Sequence, residues 1–529
     1  MTFAAPPLSV LSGLAAHYLS DFDLRAAFAD QPDRFDRLSL AAPHILADLS
    51  KLHWGPEVLQ ALLVQARGCN LEGRRDELLR GELVNATEGR PVLHPALRCQ
   101  AVGQALPVAS DRWPSDLTEG LEAMLALAET LRQQPDIDDV VHIGIGGSGL
   151  GPETVLQALH GYRNCRQRLH VVTNLDGHDL SEALEGLDPA RTVFVVVSKS
   201  WSTADTLRNA TSAMAWSRGQ LGEAASSRFI AVSARPDLAR ADGMGTVLAM
   251  PEGIGGRFSV WSAVGLVLAV ALGAGGFQAM LRGAADMDHH FATQPLESNL
   301  PVWLGALDVW HCSHLQVPSR AVVPYHHGLR RLPAYLQQLE MESNGKRVGL
   351  DGQLLALPTV NCVWGQPGSD GQHAFFQWLH QGMHRAVLEM IVVARATHDM
   401  PGHQSTLVAN ALAQAQALMD GAVAGPGERP GHQDFPGNRP SLMLLLDTLS
   451  PKSLGALLAL YEHRTFVSGV MWGVNPFDQW GVEIGKRLAR RLEPLLTAEE
   501  PDPSALKALD PSTAGLIAWL RARPASAGG

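Results

Sequence analysis

A glycine-rich run in the first half of the chain has the residue types of an anion site. Apolar residues 140–143 are followed by four glycines and Ser148 within 144–149, and then by Pro152. A buried strand, a tight turn and a helix start in this order bring backbone N–H groups close to a ligand. The run favours a phosphate group as that ligand.

The same glycines also fit the dinucleotide-binding pattern. Gly144, Gly146 and Gly149 have the spacing G-x-G-x-x-G, and Asp176 follows the next strand-like run. On spacing alone, the run could also be a turn that only permits close packing of a strand against a helix. An NAD-dependent dehydrogenase is therefore one alternative, and the rest of the chain must decide between a nucleotide and a smaller phosphate ligand.

A second polar cluster follows the strand-like run at 192–197. The next residues supply a lysine and several hydroxyl groups, at Ser198, Lys199, Ser200, Ser202 and Thr203. A helix cap would explain one of these hydroxyls, whereas several donors at a helix start suit a phosphomonoester. The cluster favours a single phosphate group over the extended pyrophosphate and ribose of a dinucleotide.

Three later runs carry groups suited to proton transfer. Glu342 lies in a helix-like stretch that ends at an Asn-Gly pair, and His373 begins an aromatic, apolar helix. Gln479 and Lys486 are seven residues apart, which places them on one face of a helix. Taken singly, these groups also fit a capping carboxylate, a buried histidine and a solvated basic face, so the residues alone leave their role open.

These groups need a framework of alternating strands and helices. Hydrophobic periodicity predicts strands at 140–145, 169–174, 192–198 and 228–233, with helices at 152–160, 179–186 and 203–219. Such alternation predicts a parallel sheet wound with helices on both faces, with ligands outside the carboxyl ends of the strands. Strand-like residues at 320–325 and 353–357 predict a second α/β unit.

Other segments complete the predicted organisation. Residues 1–105 look helical, residues 421–441 form a Pro/Gly-rich irregular loop, and residues 486–491 belong to a basic helix. Residues 258–281 carry no charge and are long enough to span a bilayer. Their glycines and polar residues, and the lack of a second such segment, favour a buried core helix.

Length, charge and cysteine content limit the classes of function that this chain can have. The 529 residues predict two or three domains, and a net charge of −11 gives no reason to expect nucleic-acid binding. Five scattered cysteines without a C-x-x-C pair suggest neither a disulfide framework nor a zinc site. No Lys or Arg precedes Arg25, so a signal peptide is not expected. We therefore expect a cytoplasmic protein without a nucleic-acid or membrane partner.

Together the motifs resemble those of the glucose-6-phosphate isomerase (phosphoglucose isomerase) family. The similar runs cover most of the chain and are NATEGRPVLHPALR, GIGGSGLGP, SKSWSTADT, GIGGRFSVWSAVGL, QLEMESNGK, GQPGSDGQHAFFQWLHQG, FPGNRPS, NPFDQWGVEIGK and DPSTAGLIAW. The chain has Ser-Lys-Ser-Trp-Ser-Thr where the family usually has Ser-Lys-Thr-Phe-Thr-Thr, which keeps every hydroxyl position. Asp370 is an added carboxylate near His373 and would raise the histidine pKa if it lay close.

The resemblance implies the fold and the reaction. The fold would be α/β, with two parallel-sheet sugar-isomerase domains at 106–280 (small) and 281–490 (large). A helical segment at 1–105 would pack with the large domain, and residues 491–529 would form a C-terminal tail. The reaction would be the reversible conversion of glucose 6-phosphate and fructose 6-phosphate by ring opening and an enediolate, without a metal or other cofactor. A homodimer with shared active sites is also implied.

The resemblance assigns roles to individual residues as well. Glu342 would move the proton between C1 and C2, Arg257 would stabilise the enediolate, and His373 of the neighbouring subunit, assisted by Lys486, would open the ring. The substrate-binding residues would be Gly147, Ser148, Ser198, Lys199, Ser200, Thr203, Gly256, Gln338 and Gln479. A non-catalytic sugar-phosphate sensor is the other alternative, and activity on mannose 6-phosphate stays open.

Overall fold

The computed structural model describes residues 8–108 and 113–523. The chain divides into two compact units, Met1–Phe477 and Asp478–Gly529. The strands of the described residues all belong to the first unit. They are β1 (Ser39–Ala42), β2 (Ile45–Asp48), β3 (Asp139–Ile143), β4 (Arg168–Val172), β5 (Thr192–Val197), β6 (Phe229–Ser233), β7 (Thr246–Ala249), β8 (Ser319–Tyr325), β9 (Cys362–Trp364), β10 (Val387–Val393) and β11 (Ser441–Leu446).

The α-helices of the described residues occur in both units. They are α1 (Leu8–Ser20), α2 (Leu24–Asp30), α3 (Arg34–Arg37), α4 (Pro56–Gly68), α5 (Leu71–Leu79), α6 (His94–Val102), α7 (Glu119–Gln133), α8 (Leu150–Ala158), α9 (Gly177–Leu184), α10 (Ala204–Leu221), α11 (Pro236–Ala241), α12 (Leu266–Thr293), α13 (Leu300–Val309), α14 (Leu332–Leu336), α15 (Gly368–Gln372), α16 (Phe376–Gln381), α17 (His403–Asp420), α18 (Pro451–Trp472), α19 (Glu483–Thr497), α20 (Pro503–Lys507) and α21 (Pro511–Arg521). Two π-helical segments, Trp310–His314 and Gln337–Glu342, follow α13 and α14.

The first sheet is parallel throughout and has the order β4-β3-β5-β6-β7. Strands β3, β5 and β6 are buried at every residue. Helices cover both faces of such sheets, so their strands read as continuous apolar runs, and this signal made them predictable. The alternating strands and helices predicted from residue 140 to residue 233 are confirmed to within a few residues.

The second sheet has six strands in the order β1-β2-β11-β10-β8-β9. Strands β11, β10, β8 and β9 are parallel, and an antiparallel β1–β2 hairpin extends the sheet beside β11. The prediction of a wholly helical N-terminal segment is wrong at this hairpin, because two four-residue strands are too short to establish a period. Residues 353–357 also form no strand, and Leu354 makes only an isolated bridge to Val348. The predicted second α/β unit is otherwise present.

The uncharged stretch belongs to a core helix, α12. This helix begins at Leu266, later than the sequence pattern suggested, and is interrupted at Gly273, whose φ is +70°. Residues 263–293 are long and apolar enough to cross a membrane, but 72% of their most apolar window is buried inside the protein. Helix α12 packs against α6, α7 and α18, which confirms the core-helix interpretation.

A network of buried charges ties α18 to α6 and α12. Arg98 on α6 binds Asp288 of α12, with 2.9 Å between Nε and Oδ2, and also pairs with Glu462 of α18. His463 lies 2.7 Å from Asp288 through Nε2. Removing one member of a buried ion pair leaves an uncompensated charge in the core and is strongly destabilising. The network therefore fixes the register of three helices.

A second buried network ties α18 to the second sheet. Arg464 on α18 binds Asp308 of α13 and Glu389 of β10, each at 2.7 Å. Arg320 on β8 donates to the same Asp308 at 2.9 Å and pairs with Glu340 of the second π-helical segment. This chain of charges connects the core to the segment that carries Glu342.

Candidate active site

The glycine-rich run lies beyond the carboxyl end of β3 and packs against a second glycine pair. A Cβ at position 147 would overlap the backbone of Gly256 and Arg257, so only glycine permits this approach. Gly146 has a φ of +59°, and its neighbour in space is the Gln338 amide. Close backbone contact therefore brings Ser148, Gly256 and Arg257 to one place.

We expect Gly147→Ala to lower kcat/KM by roughly 10²-fold, because a small displacement of a positioned catalytic group costs about that much. The added methyl group must push residues 256 and 257 away. Steady-state kinetics on the folded variant measures the loss. Gly177→Ala is the matched control, since its Cβ would meet no atom within 4 Å. Unchanged kinetics for Gly147→Ala would show that this contact does not position the site.

The hydroxyl cluster lies at the carboxyl end of β5. Ser198 Oγ is buried and donates to Thr203 Oγ1 at 3.3 Å, and the hydroxyls of Ser200 and Ser202 are 2.7 Å apart. Thr203 precedes α10, yet its side chain makes no capping hydrogen bond to that helix. Capping of α10 therefore does not account for the Thr203 hydroxyl.

Lys199 is half-buried in the same turn, and its Nζ donates to the backbone carbonyl of Glu252 at 2.7 Å. Burial is the main cause that lowers its pKa to about 8, and the charges of Arg90 and Arg257 lower the pKa further. Sequence reasoning gave Arg90 no role and treated its segment as a polar run. The carboxylates of Glu88 and Glu252 oppose this shift, so basic and acidic side chains from distant parts of the chain both lie near the hydroxyl cluster.

The lowered pKa of Lys199 predicts a pH dependence. The amine loses its positive charge as the pH rises through about 8, well below the ordinary lysine range, so anion binding to the free protein weakens there. We expect kcat/KM to fall above about pH 8, while Lys199→Arg keeps the charge and removes this fall. The pH profile of kcat/KM measures both, with circular dichroism at each pH as the folding control. If kcat/KM still falls above pH 8 in Lys199→Arg, the ionisation of another group causes the fall.

Glu342 closes the π-helical segment, and the helix ends two residues later at Asn344 as the Asn-Gly pair predicts. Its Oε2 accepts a hydrogen bond from Gln338 Nε2 at 3.0 Å and lies 3.4 Å from Arg257 Nη1. The Glu342 side chain retains 19% exposure, against 3% for Arg257. Insertions of π-helix are frequent at functional sites, and here the segment presents a carboxylate to a buried cation.

Two buried anchors hold the backbone on either side of Glu342. Two residues earlier, Glu340 is paired with Arg320 in the core. Two residues later, Asn344 donates through Nδ2 to the Thr465 carbonyl of α18 at 2.9 Å. Residues two apart on a helix point to nearly opposite sides, so anchoring both neighbours in the core directs Glu342 away from it.

Arg257 is fixed by the same segment that carries Glu342. Its Nε donates to Ser343 Oγ at 2.7 Å, its Nη2 donates to the Pro476 carbonyl at 2.8 Å, and its guanidinium lies over the Phe258 ring. A planar fork held by several partners presents a fixed charge without reorganisation. The arrangement suits an oxyanion that develops next to the Glu342 carboxylate.

The remaining predicted site residues are His373, Gln479 and Lys486. His373 is exposed between α15 and α16, and its backbone N–H donates to the Asp370 carbonyl at 3.1 Å. Gln479 and Lys486 belong to the second unit, where Lys486 is exposed on α19 and pairs with Glu483 at 2.9 Å. Within residues 8–108 and 113–523, no group of three or more His, Cys, Asp or Glu side chains is placed to hold a metal ion.

Comparisons with known proteins identify the family. Residues 48–517 match the family described as phosphoglucose isomerase. The chain belongs to the phosphoglucose isomerase family. It is 49% identical over 507 residues to a glucose-6-phosphate isomerase of Polaromonas naphthalenivorans (strain CJ2), across 94% of this chain and 95% of that protein. It is also 49% identical over 506 residues to a glucose-6-phosphate isomerase of Albidiferax ferrireducens, across 95% of both chains.

A solved structure extends the similarity to the fold. The crystal structure of a glucose-6-phosphate isomerase from Chlamydia trachomatis D/UW-3/Cx has a TM-score of 0.86 at 31% identity, and covers 97% of this chain and 98% of that chain. The predicted family, the α/β class with parallel sheets and the assignment as an isomerase are confirmed. The dehydrogenase and sensor alternatives gain no support from these comparisons.

Proposed function

We propose that this isomerase interconverts glucose 6-phosphate and fructose 6-phosphate, with Glu342 as the base and Arg257 as the enediolate-stabilising group. The pairing of the Glu342 carboxylate with a buried, fixed guanidinium at 3.4 Å carries the proposal. Moving a hydrogen between adjacent carbons requires a base near C1 and C2 and a cation near the oxygens that become charged. These two groups supply both requirements.

The phosphate of the substrate is the anchor in this proposal. The hydroxyl cluster beyond β5 and the glycine-rich run beyond β3 lie at the carboxyl ends of neighbouring strands, where parallel sheets bind ligands. The phosphate-binding residues are Ser148, Ser198, Lys199, Ser200 and Thr203. Arg90, which pairs with Glu88 at 3.8 Å, is a further basic group near Lys199. Gly147, Gly256, Gln338 and Gln479 orient the sugar.

Ring opening precedes proton transfer. His373, assisted by Lys486, delivers a proton to the ring oxygen as the C1–O5 bond breaks. It also takes up the proton that the anomeric hydroxyl loses, so an aldehyde forms. The exposure of His373 suits a residue that acts in the site of a neighbouring subunit, and we propose a homodimer with shared sites on this ground. The enzyme would work in the cytoplasm on a small sugar phosphate.

Proton transfer then needs no external oxidant. Glu342 removes the proton from C2 of open-chain glucose 6-phosphate, and the electron pair of that bond forms the C1–C2 double bond of an enediolate. Arg257 holds the negative charge on the oxygens while a proton passes from O2 to O1. The proton then returns to C1 as C2 becomes the carbonyl carbon, which yields fructose 6-phosphate. The carbon that is oxidised and the carbon that is reduced belong to the same molecule, so the reaction balances.

We also propose that the two sheets mark the domains inferred from the motifs. Residues 106–280 include the five-stranded sheet and residues 281–490 include most of the six-stranded sheet. Residues 1–105 join the second domain through the β1–β2 hairpin beside β11. Residues 491–529 form the tail.

The experiment that tests the activity is an assay of glucose 6-phosphate formation from fructose 6-phosphate. The purified chain is incubated with EDTA, and a separate dehydrogenase with its own nucleotide reports the product. Turnover in this mixture is expected. Tight binding of fructose 6-phosphate without turnover would overturn the proposal and would favour a sensor.

Mixed dimers test the shared site. Glu342→Gln and His373→Ala are each expected to be nearly inactive alone. After they are unfolded and refolded together, half of the dimers are hybrids with one intact site, so activity should recover to about a quarter of the wild-type value. Size-exclusion chromatography checks that dimers form. No recovery in a mixture that contains hybrids would place His373 and Glu342 in the site of one chain.

A further inference from the structure

A second cleft, lined by residues outside the site described above, collects basic side chains. It has a volume of about 1010 Å³ and lies among the end of α8, the turn at 326–330 and the segment that leads into α17. Its lining includes five histidines and two arginines, and none of the lining residues is Asp or Glu. The lining residues that can carry a charge in this way are therefore basic and not acidic.

The two arginines of the cleft repel each other. Burial and the charge of Arg330 both lower the pKa of Arg163, burial having the larger effect. Arg163 donates to the Leu156 carbonyl at 2.9 Å, while its buried Nε has no hydrogen-bond partner among the described residues. Arg330 donates to the His327 carbonyl at 3.2 Å. Both arginines are half-buried, and neither forms an ion pair within the described part of the chain.

The histidines of the cleft supply ring nitrogens beside the two arginines. His326 faces His327 and His398, and burial together with these neighbours lowers its pKa to about 4. The ring centroids of His398 and His403 are 6.4 Å apart. The nearby carboxylate of Glu153 is already paired with Arg331 at 2.8 Å. The described residues that line the cleft thus come mainly from three segments and include no carboxylate.

We propose that this cleft binds a small polyanion that carries two or more phosphate groups. Gathering like charges is unfavourable unless a counter-charge occupies the space between them. Guanidinium groups bind phosphate oxygens with two parallel hydrogen bonds. The volume is that of a small-molecule site and exceeds the size of one phosphate group. An inorganic polyphosphate and a metabolite with two phosphate groups share this chemistry.

Calorimetric titration of the full chain with inorganic tripolyphosphate tests the proposal. The solution contains a saturating equilibrium mixture of the two hexose phosphates, because the sugar-phosphate site would otherwise also take up the anion. We expect one tripolyphosphate per chain for the wild type and an affinity at least tenfold lower for the Arg163→Gln/Arg330→Gln double variant. Arg25→Gln/Arg235→Gln is the matched control, since both of these arginines are exposed and lie outside the cleft.

Isomerase activity measured without tripolyphosphate shows whether each variant is folded. It also tests the proposed isomerase function independently of anion binding in the cleft, so failure of one proposal can be distinguished from failure of the other. If the double variant fails to fold, His398→Gln/His403→Gln replaces it, because both histidines are exposed and their substitution is expected to leave the fold intact. No binding to the wild type, or equal binding to the cleft variants, would overturn the proposal. So would conversion of the cleft variants to monomers in light scattering, since the cleft would then be filled by a second copy of the chain.

Discussion

Replacing Glu342 with glutamine is expected to lower kcat by about 10³- to 10⁴-fold, the upper range for loss of a general base. KM should change little, because the neutral amide has nearly the same shape and can still bond Gln338. The Arg257 guanidinium, which lies 3.4 Å from the Glu342 carboxylate in the wild type, then faces a neutral amide. Steady-state kinetics gives the rate, and proton NMR in D₂O follows exchange at C2, which should be lost in parallel.

The control for this substitution is Glu182→Gln, an exposed carboxylate on α9. It should retain the wild-type rate. Glu342→Asp keeps the charge but shortens the side chain, and should recover part of the exchange. If Glu342→Gln exchanged the C2 proton at the wild-type rate while folded, another group would be the base.

Arg257→Lys is expected to raise the barrier by roughly 3 kcal/mol, about a 10²-fold loss of kcat/KM. Lysine keeps the positive charge, but its point charge cannot bond Ser343 Oγ and the Pro476 carbonyl while it also faces Glu342, as the guanidinium does. The expected defect is in the chemical step, so kcat should fall more than KM rises.

Thermal unfolding separates the catalytic loss from a folding defect in this variant. Arg228→Lys is a suitable control, because Arg228 is only half-buried and pairs with Asp136 at the surface. A folded Arg257→Lys with the wild-type kcat would show that charge alone, without the fork, stabilises the intermediate. That result would contradict the assignment of a directional role to Arg257.

The sequence by itself determined the local elements and the chemistry that they carry. Strands β3, β5 and β6 were predictable because strands buried on both faces are continuously apolar, and glycines or hydroxyl residues end them. The helix end after Glu342 followed from the Asn-Gly pair. Motif resemblance added the family, which the comparisons confirm. These signals come from short runs of residues, so a single amino-acid sequence is sufficient to detect them.

Only the tertiary structure decided which distant groups meet. The β1–β2 hairpin joins a sheet built mainly from residues 319–446, and its pairing with β11 has no sequence signal. The 3.4 Å contact of Arg257 with Glu342, and the effect of Arg90 on the pKa of Lys199, depend on packing between segments far apart in the chain. Burial and long-range Coulomb interactions belong to the folded arrangement rather than to any short run of residues.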